Sequence, residues 1–169
     1  MHSVNTEMMY PSGTKVAQVE LIYKSTVRPS ERPFVKGSLS ASEIFFNYWN
    51  KDKIELLEEV KAMYLNRAGR VLAIADISMG GISSTTVDIR HIMAIGLMLN
   101  AVSLLVCHNH PGGSMVPSKE DDVLTSDLAG CSSAMRIKLL DHIIITREGY
   151  YSYADKGRLN VHGNSLYVK

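Results

Sequence analysis

The chain has 169 residues, 46% hydrophobic and 21% charged, with a formal net charge of +1. That size and apolar content suffice for one full core, and the near-neutral balance argues against a dedicated nucleic-acid-binding surface. Two cysteines, Cys107 and Cys131, are too few for a disulfide framework, and both are expected reduced in a cytoplasmic setting.

Residues 1–15 lack a basic start followed by an apolar run, so they do not read as a signal peptide, and they are expected to be loosely attached. Val16 to Tyr23 is rich in β-branched residues and predicts a strand. Arg28 to Pro33 carries two prolines and reads as a linker. Ser40 followed three residues later by Glu43 has the form of a capping box for a short helix. Its Phe45, Phe46, Tyr48 and Trp49 offer an aromatic face that is expected to pack on the domain that follows, with a partner-binding groove as the alternative. Residues 1–53 thus form an N-terminal extension.

Ile54 to Val60 includes Glu55, Glu58 and Glu59, which by themselves describe a solvated acidic face. Val60 to Leu65 and Val71 to Ile77 read as two strands joined by a turn over Asn66 to Arg70, and Met79 to Gly81 is a loop. Ile89, Ile92, Met93, Gly96 and Leu97 recur at helical spacing, with His91 off that stripe. Residues 92–107 are uncharged but number only 16, short of the roughly 20 apolar residues of a spanning helix. A core helix feeding a core strand accounts for them, and no membrane association is expected.

That strand runs straight into His108-Asn109-His110 and stops at Pro111-Gly112-Gly113. Strand alternation sends His108 and His110 to one side and Cys107 and Asn109 to the other, so Cys107 reads as a small buried hydrophobe. Pro117-Ser118 opens a helix that carries Asp121 in its first turn. Ser118 with Asp121 has the form of an ordinary N-cap pair. It equally places a carboxylate beside two imidazoles, and two His plus one carboxylate with an open position is the catalytic type of zinc site.

Val123, Leu124, Leu128 and Ala129 continue this helix to near Gly130. Leu139 to Ile145 predicts another strand, and Tyr150 to Tyr153 returns across Glu148-Gly149. Within it, His142 reads either as a strand-end histidine satisfied by a neighbour or as a group that orients a ligand histidine. Residues 158–169 read as a polar tail.

His-x-His, ten residues and Asp, with Ser three before that Asp, resembles the JAMM motif of JAB/MPN metalloproteases. The segments AVSLLVCHNHPGGSMVPSKEDDVLTSDL and LLDHIIITREGYYSYADKG are similar to the bacterial RadC family, and residues 54–157 resemble its whole domain. Two positions depart from the family pattern. Gly113 stands where the family usually has Ser, and His91 where it often has Glu after a Pro-Arg pair.

The resemblance implies an α/β fold, a mixed sheet flanked by helices in the cytidine-deaminase-like arrangement. It implies one zinc per chain on His108, His110 and Asp121, and it selects Glu58, with Glu59 as the fallback, as the general base. Ser118 is the candidate donor to the oxyanion, and a peptide or isopeptide amide is the implied substrate. Two alternatives come from other classes. One is an accessory role in DNA metabolism, although the 54 residues before Glu55 contain no Gly-rich hairpin of the helix-hairpin-helix kind. The other is a metal-binding pseudoenzyme that acts as an interaction module.

Overall fold

The computed structural model of the protein describes residue 20, residues 22–80 and residues 87–159. Five strands, β1 (Glu59–Leu65), β2 (Val71–Met79), β3 (Ser103–Asn109), β4 (Lys138–Ile145) and β5 (Tyr150–Ser152), form one sheet in the order β2-β1-β3-β4-β5. Every pairing is antiparallel except β3 with β4, so the sheet is mixed. Helix α1 (Ser38–Tyr48) covers one face, while α2 (Ile89–Met98) and α3 (Lys119–Ala134) cover the other. This is the expected α/β arrangement. Among the described residues, no helix is long and apolar enough to cross a membrane.

Strand β3 lies in the middle and is buried along its whole length, which is why Leu104 to Cys107 is an unbroken apolar run rather than an alternating one. Its pleat divides the core. Leu104 and Val106 join Val60, Ala62 and Tyr64 of β1 beneath α2 and α3. Leu105 and Cys107 join Met63 and Leu65 beneath α1. On the first face α2 approaches closely at Gly96, where an added Cβ would lie 3.0 Å from Ile137 Cδ1 and 3.4 Å from the Tyr64 ring.

Between β3 and β4 the register shifts. Leu104 pairs with Leu139 but Leu105 pairs with Asp141, so Leu140 is an extra residue in β4. Such a bulge leaves one residue unpaired and resets which side chains face which side. Leu140 packs on the α1 face, and His142 then pairs with Val106 on the α3 side.

Several sequence expectations are corrected here. Glu20, Ile22 and Tyr23 are not in a strand, while residues 16–19 and 21 lie outside the described residues, as do residues 1–15, 81–86 and 160–169. The Arg28 to Pro33 stretch contains a 3-10 turn, Pro29–Glu31. Helix α1 starts before Ser40. Gly37 is its N-cap, and the Ser40 hydroxyl reaches back to accept from the Lys36 and Gly37 amides at 2.8 and 3.1 Å. Helix α3 runs through Gly130 to Ala134, because Leu128, Ala129 and Ser132 are buried on either side and offset the roughly 1 kcal/mol cost of an interior glycine. Arg158, read as the start of a free tail, pairs with both Asp122 oxygens at 2.8 and 2.9 Å.

The aromatic helix is part of the core. Phe45 and Trp49 are 0% and 3% exposed among Ile54, Met63, Leu105 and Ile143, while Tyr48 stays exposed. Truncating a buried Phe removes its transfer energy and leaves a cavity, which costs about 3–5 kcal/mol. Phe45→Ala is therefore expected to lower the unfolding free energy by that amount, read as a lower urea midpoint without a change in slope. An unchanged midpoint would mean that α1 is not part of the folding unit.

Candidate metal centre

His108 sits near the end of β3, where Val60 of β1 is its cross-strand partner. His110 follows the strand, its amide donating to the Ile145 carbonyl at 3.1 Å, which extends the β3–β4 pairing just far enough to fix it. The chain then turns. The Gly113 amide donates to the His110 carbonyl at 3.0 Å, and Gly113 takes φ +79°, a conformation that side chains strain. Glycine is thus the residue this backbone requires, where the family pattern has Ser.

Ser118 caps α3 by accepting from the Asp121 amide at 3.1 Å. Its hydroxyl donates to Asp121 Oδ2 at 2.8 Å, and its own amide donates to the same oxygen at 2.7 Å. The cap and the site are therefore one device, since the capping box that starts the helix also aims the carboxylate. Ser118, the candidate oxyanion donor, directs its single proton to Asp121.

The three side chains converge. Asp121 Oδ1 lies 3.1 Å from His108 Nε2, Oδ2 lies 3.5 Å from His110 Nε2, and the two Nε2 atoms are 3.0 Å apart. Metal–nitrogen bonds of about 2.0–2.1 Å in a tetrahedral set give ligand atoms about 3.3 Å apart, so the spacing fits a small divalent ion. Proton placement points the same way. His110 Nδ1 is 2.7 Å from the Ser114 carbonyl, which can only accept, so the proton is on Nδ1 and the Nε2 lone pair faces the centre. Lone pairs aimed at one another and at a carboxylate repel, and a cation among them, a metal ion or a proton, relieves that repulsion. Among the described residues, this His108–His110–Asp121 group is the one cluster of its kind.

Glu58 and Glu59 separate at the edge of this site. Val60 faces the α3 side with His108, and alternation carries Glu58 to that side and Glu59 to the other. Glu58 accordingly lines the cleft with His108, His110 and Asp121. Glu59 is buried on the α1 side and pairs with Lys61 Nζ at 2.9 Å. Hydrogen bonds from Lys61 to Asp76 and Glu59 outweigh its burial and raise its pKa. Asn109, between the two histidines, faces that side too. Its amide nitrogen donates to the Ile54 and Leu57 carbonyls at 2.6 and 2.8 Å, and its oxygen accepts from the Glu59 amide at 2.8 Å. It thereby holds the segment that carries Glu58. Alternation alone indicated Asn109's direction, and nothing in the sequence indicated its partners some 50 residues away.

Behind the site lies His142, 0% exposed, its Nε2 atom 2.9 Å from His108 Nδ1 and its Nδ1 atom 2.6 Å from Thr125 Oγ1. Its ring stacks on Tyr153 with centroids 5.1 Å apart. Burial, reinforced by the neighbouring His108, pushes its pKa well below the usual histidine value. Asp141 points the other way and accepts from Ser152 Oγ and the Ala154 amide at 2.5 and 2.9 Å. Cys107 is buried on the α1 side, and burial raises its thiol pKa. His91 is exposed and takes no part.

The cleft over the centre has a volume of about 940 Å³. Its walls are apolar, from Val60, Val87, Ile89, Val123 and Leu124, and among the described residues its charged rim is Glu58, Glu120 and Asp127 against one lysine, Lys119.

Comparison with known proteins gives consistent results. The profile of a family described as RadC-like JAB domain matches residues 39–158, which takes in α1 from its second residue and every described residue after it except Leu159. A UPF0758 protein of Flavobacterium johnsoniae is 40% identical over 100 residues, 59% of this chain and 44% of that protein. A UPF0758 protein of Neisseria meningitidis is 39% identical over 103 residues, covering 61% and 46%. One from Porphyromonas gingivalis is 36% identical over 103 residues, covering 60% and 45%. The matched region is thus less than half the length of these relatives.

The electrostatics of the metal-free centre have a definite pH signature. When His110 takes a second proton on Nε2 it can donate to the Asp121 carboxylate, which raises the imidazole pKa above 6.5 against its burial. Burial works against the Asp121 carboxylate, but the facing His108 and His110 rings, which donate to it whenever Nε2 carries a proton, outweigh that and hold its pKa far below 3.8. Stability from the raised His110 is full below pH 6.5 and lost as pH climbs through its folded value. In chelator-treated protein the stability gap between wild type and Asp121→Asn should therefore narrow as pH rises above 6.5, measured by urea unfolding across a pH series. A gap independent of pH would show the pair uncoupled.

Proposed function

This chain belongs to the RadC-like JAB domain family, and on that premise we propose that it is a zinc-dependent hydrolase that cleaves a peptide or isopeptide amide with an activated water. The observation that carries the reading is the convergence of His108 Nε2, His110 Nε2 and the Asp121 carboxylate, with Glu58 in the same cleft. Two nitrogens and an oxygen of this hardness suit zinc, and three protein ligands leave a position for water. Zinc held there would lower the pKa of water from about 15.7 toward about 7.

The chain's own residues supply the rest. Glu58 takes the proton of the attacking water and returns it to the leaving amine. Asn109 fixes the segment on either side of Glu58, so the carboxylate keeps its position over the cleft. Ser118 holds Asp121 in the orientation that His108 and His110 require. The apolar walls seat side chains of an extended peptide and keep bulk water from the reacting carbonyl.

The rim supports a peptide over a nucleic acid. Three carboxylates against one lysine repel a phosphate backbone, and nothing else in the cleft favours an accessory role on DNA.

Elemental analysis of protein purified without chelator is expected to find about one zinc per chain in wild type and its loss in His108→Ala, since breaking a three-ligand set removes most of its affinity. With zinc retained, Glu58→Gln is expected to lower amide hydrolysis by about 10²–10⁴-fold in a peptide-library assay. Wild-type protein with no bound metal would overturn the reading.

A further inference from the structure

His142 and Thr125 touch neither the cleft nor any substrate that could enter it, yet both are buried polar groups in a line that ends on a ligand. Thr125 Oγ1 lies 2.6 Å from the Asp121 main-chain carbonyl and 2.6 Å from His142 Nδ1. His142 Nε2 lies 2.9 Å from His108 Nδ1. The directions follow from what each atom can do. A carbonyl only accepts, so the threonine proton goes to Asp121, and the threonine oxygen must then accept from His142 Nδ1–H. Neutral His142 is left with a lone pair on Nε2, which accepts from His108 Nδ1–H. His108 consequently carries its proton on the far side, and its Nε2 lone pair faces His110 and Asp121.

We infer that the Thr125–His142 pair is a positioning device for the metal centre, setting the tautomer and ring orientation of His108 and tying it to the backbone of a second ligand, Asp121. The inference rests on the metal-site reading above and adds residues to it. It closes a loop. On the front, His108 Nε2 meets the Asp121 carboxylate at 3.1 Å; behind, the same two residues are joined through His142 and Thr125. A strand and a helix are thereby held at one separation by side chains that never contact the ion. The Tyr153 ring backs His142 with an interplanar angle of 7°, and its hydroxyl donates to Asp122 at 2.9 Å, which confines the imidazole to this plane. His110 is fixed separately by the Ser114 carbonyl, so both imidazoles present Nε2 for different reasons.

The test uses full-length protein and zinc itself, with a chromophoric chelator as competitor. Thr125→Val removes the hydroxyl at nearly constant shape, His142→Leu removes both ring nitrogens, and His142→Gln keeps an acceptor within reach of His108 Nδ1. Loss of an outer hydrogen-bond partner typically weakens metal affinity by about 10–100-fold. That weakening is expected for Thr125→Val and His142→Leu, with recovery toward wild type in His142→Gln. A merely structural role would lower the melting temperature of the metal-free protein and leave the affinity of the folded fraction unchanged. Proton–nitrogen correlation spectra of the imidazoles in metal-free protein give a second readout. They should find His108 protonated on Nδ1 in wild type, and a mixture of tautomers in His142→Leu. Wild-type zinc affinity in both Thr125→Val and His142→Leu, or a His108 tautomer that ignores them, would overturn the inference. Wild type that binds no zinc at all would overturn the metal-site reading and this inference with it.

Discussion

The pleat of the central strand is the constraint on which the rest of the site depends. Because β3 is bonded on both sides and buried on both faces, its side chains have only two directions available. His108 goes to the α3 side, where a capped helix start supplies a carboxylate. Asn109 goes to the α1 side, where it fastens the chain that leads into β1. A candidate ligand and the support for the acidic segment thus come from adjacent residues acting on opposite faces.

The second organising principle is the placement of protons rather than of charges. Two imidazoles whose Nε2 lone pairs face each other repel unless a cation lies between them, yet each is made to keep its hydrogen on the far nitrogen. A loop carbonyl does this for His110, and a buried neutral imidazole stands at the equivalent atom of His108. The carboxylate is treated likewise, with its Oδ2 atom receiving the Ser118 amide and hydroxyl and its Oδ1 atom facing His108. The chain thereby spends buried polar groups on orientation, which a core selected for stability alone would replace with packed hydrocarbon.

What was legible in the sequence was local. His108 and His110 could be put on one side because strand periodicity is two, and Asp121 could be put one turn inside a helix because Pro117-Ser118 announces a start. The sheet, with its three covering helices, followed from apolar runs and from the family resemblance. What was not legible depended on partners far along the chain. Apart from the family pattern that selects Glu58, the residues carry no mark of which acid faces the cleft, since Glu58 and Glu59 are adjacent and alike, and cross-strand pairing of Val60 with His108 separates them. Ser40 has the composition of a cap but sits inside a helix that Gly37 begins. Thr125 is an ordinary helix residue until β4 brings His142 against it.

The extra residue in β4 has a consequence of a different kind. Leu140 has no cross-strand partner of its own, and everything after it in the strand is offset by one from where straight pairing would put it. With straight pairing, Asp141 would stand opposite Val106 and His142 opposite Cys107. A carboxylate would then lie behind His108 and an imidazole among the aliphatic side chains under α1. The bulge is therefore a chemical selector. One inserted leucine decides that the group behind His108 is a neutral ring rather than an anion, and so sets how much negative charge would surround a cation held by His108, His110 and Asp121 without altering any of the three.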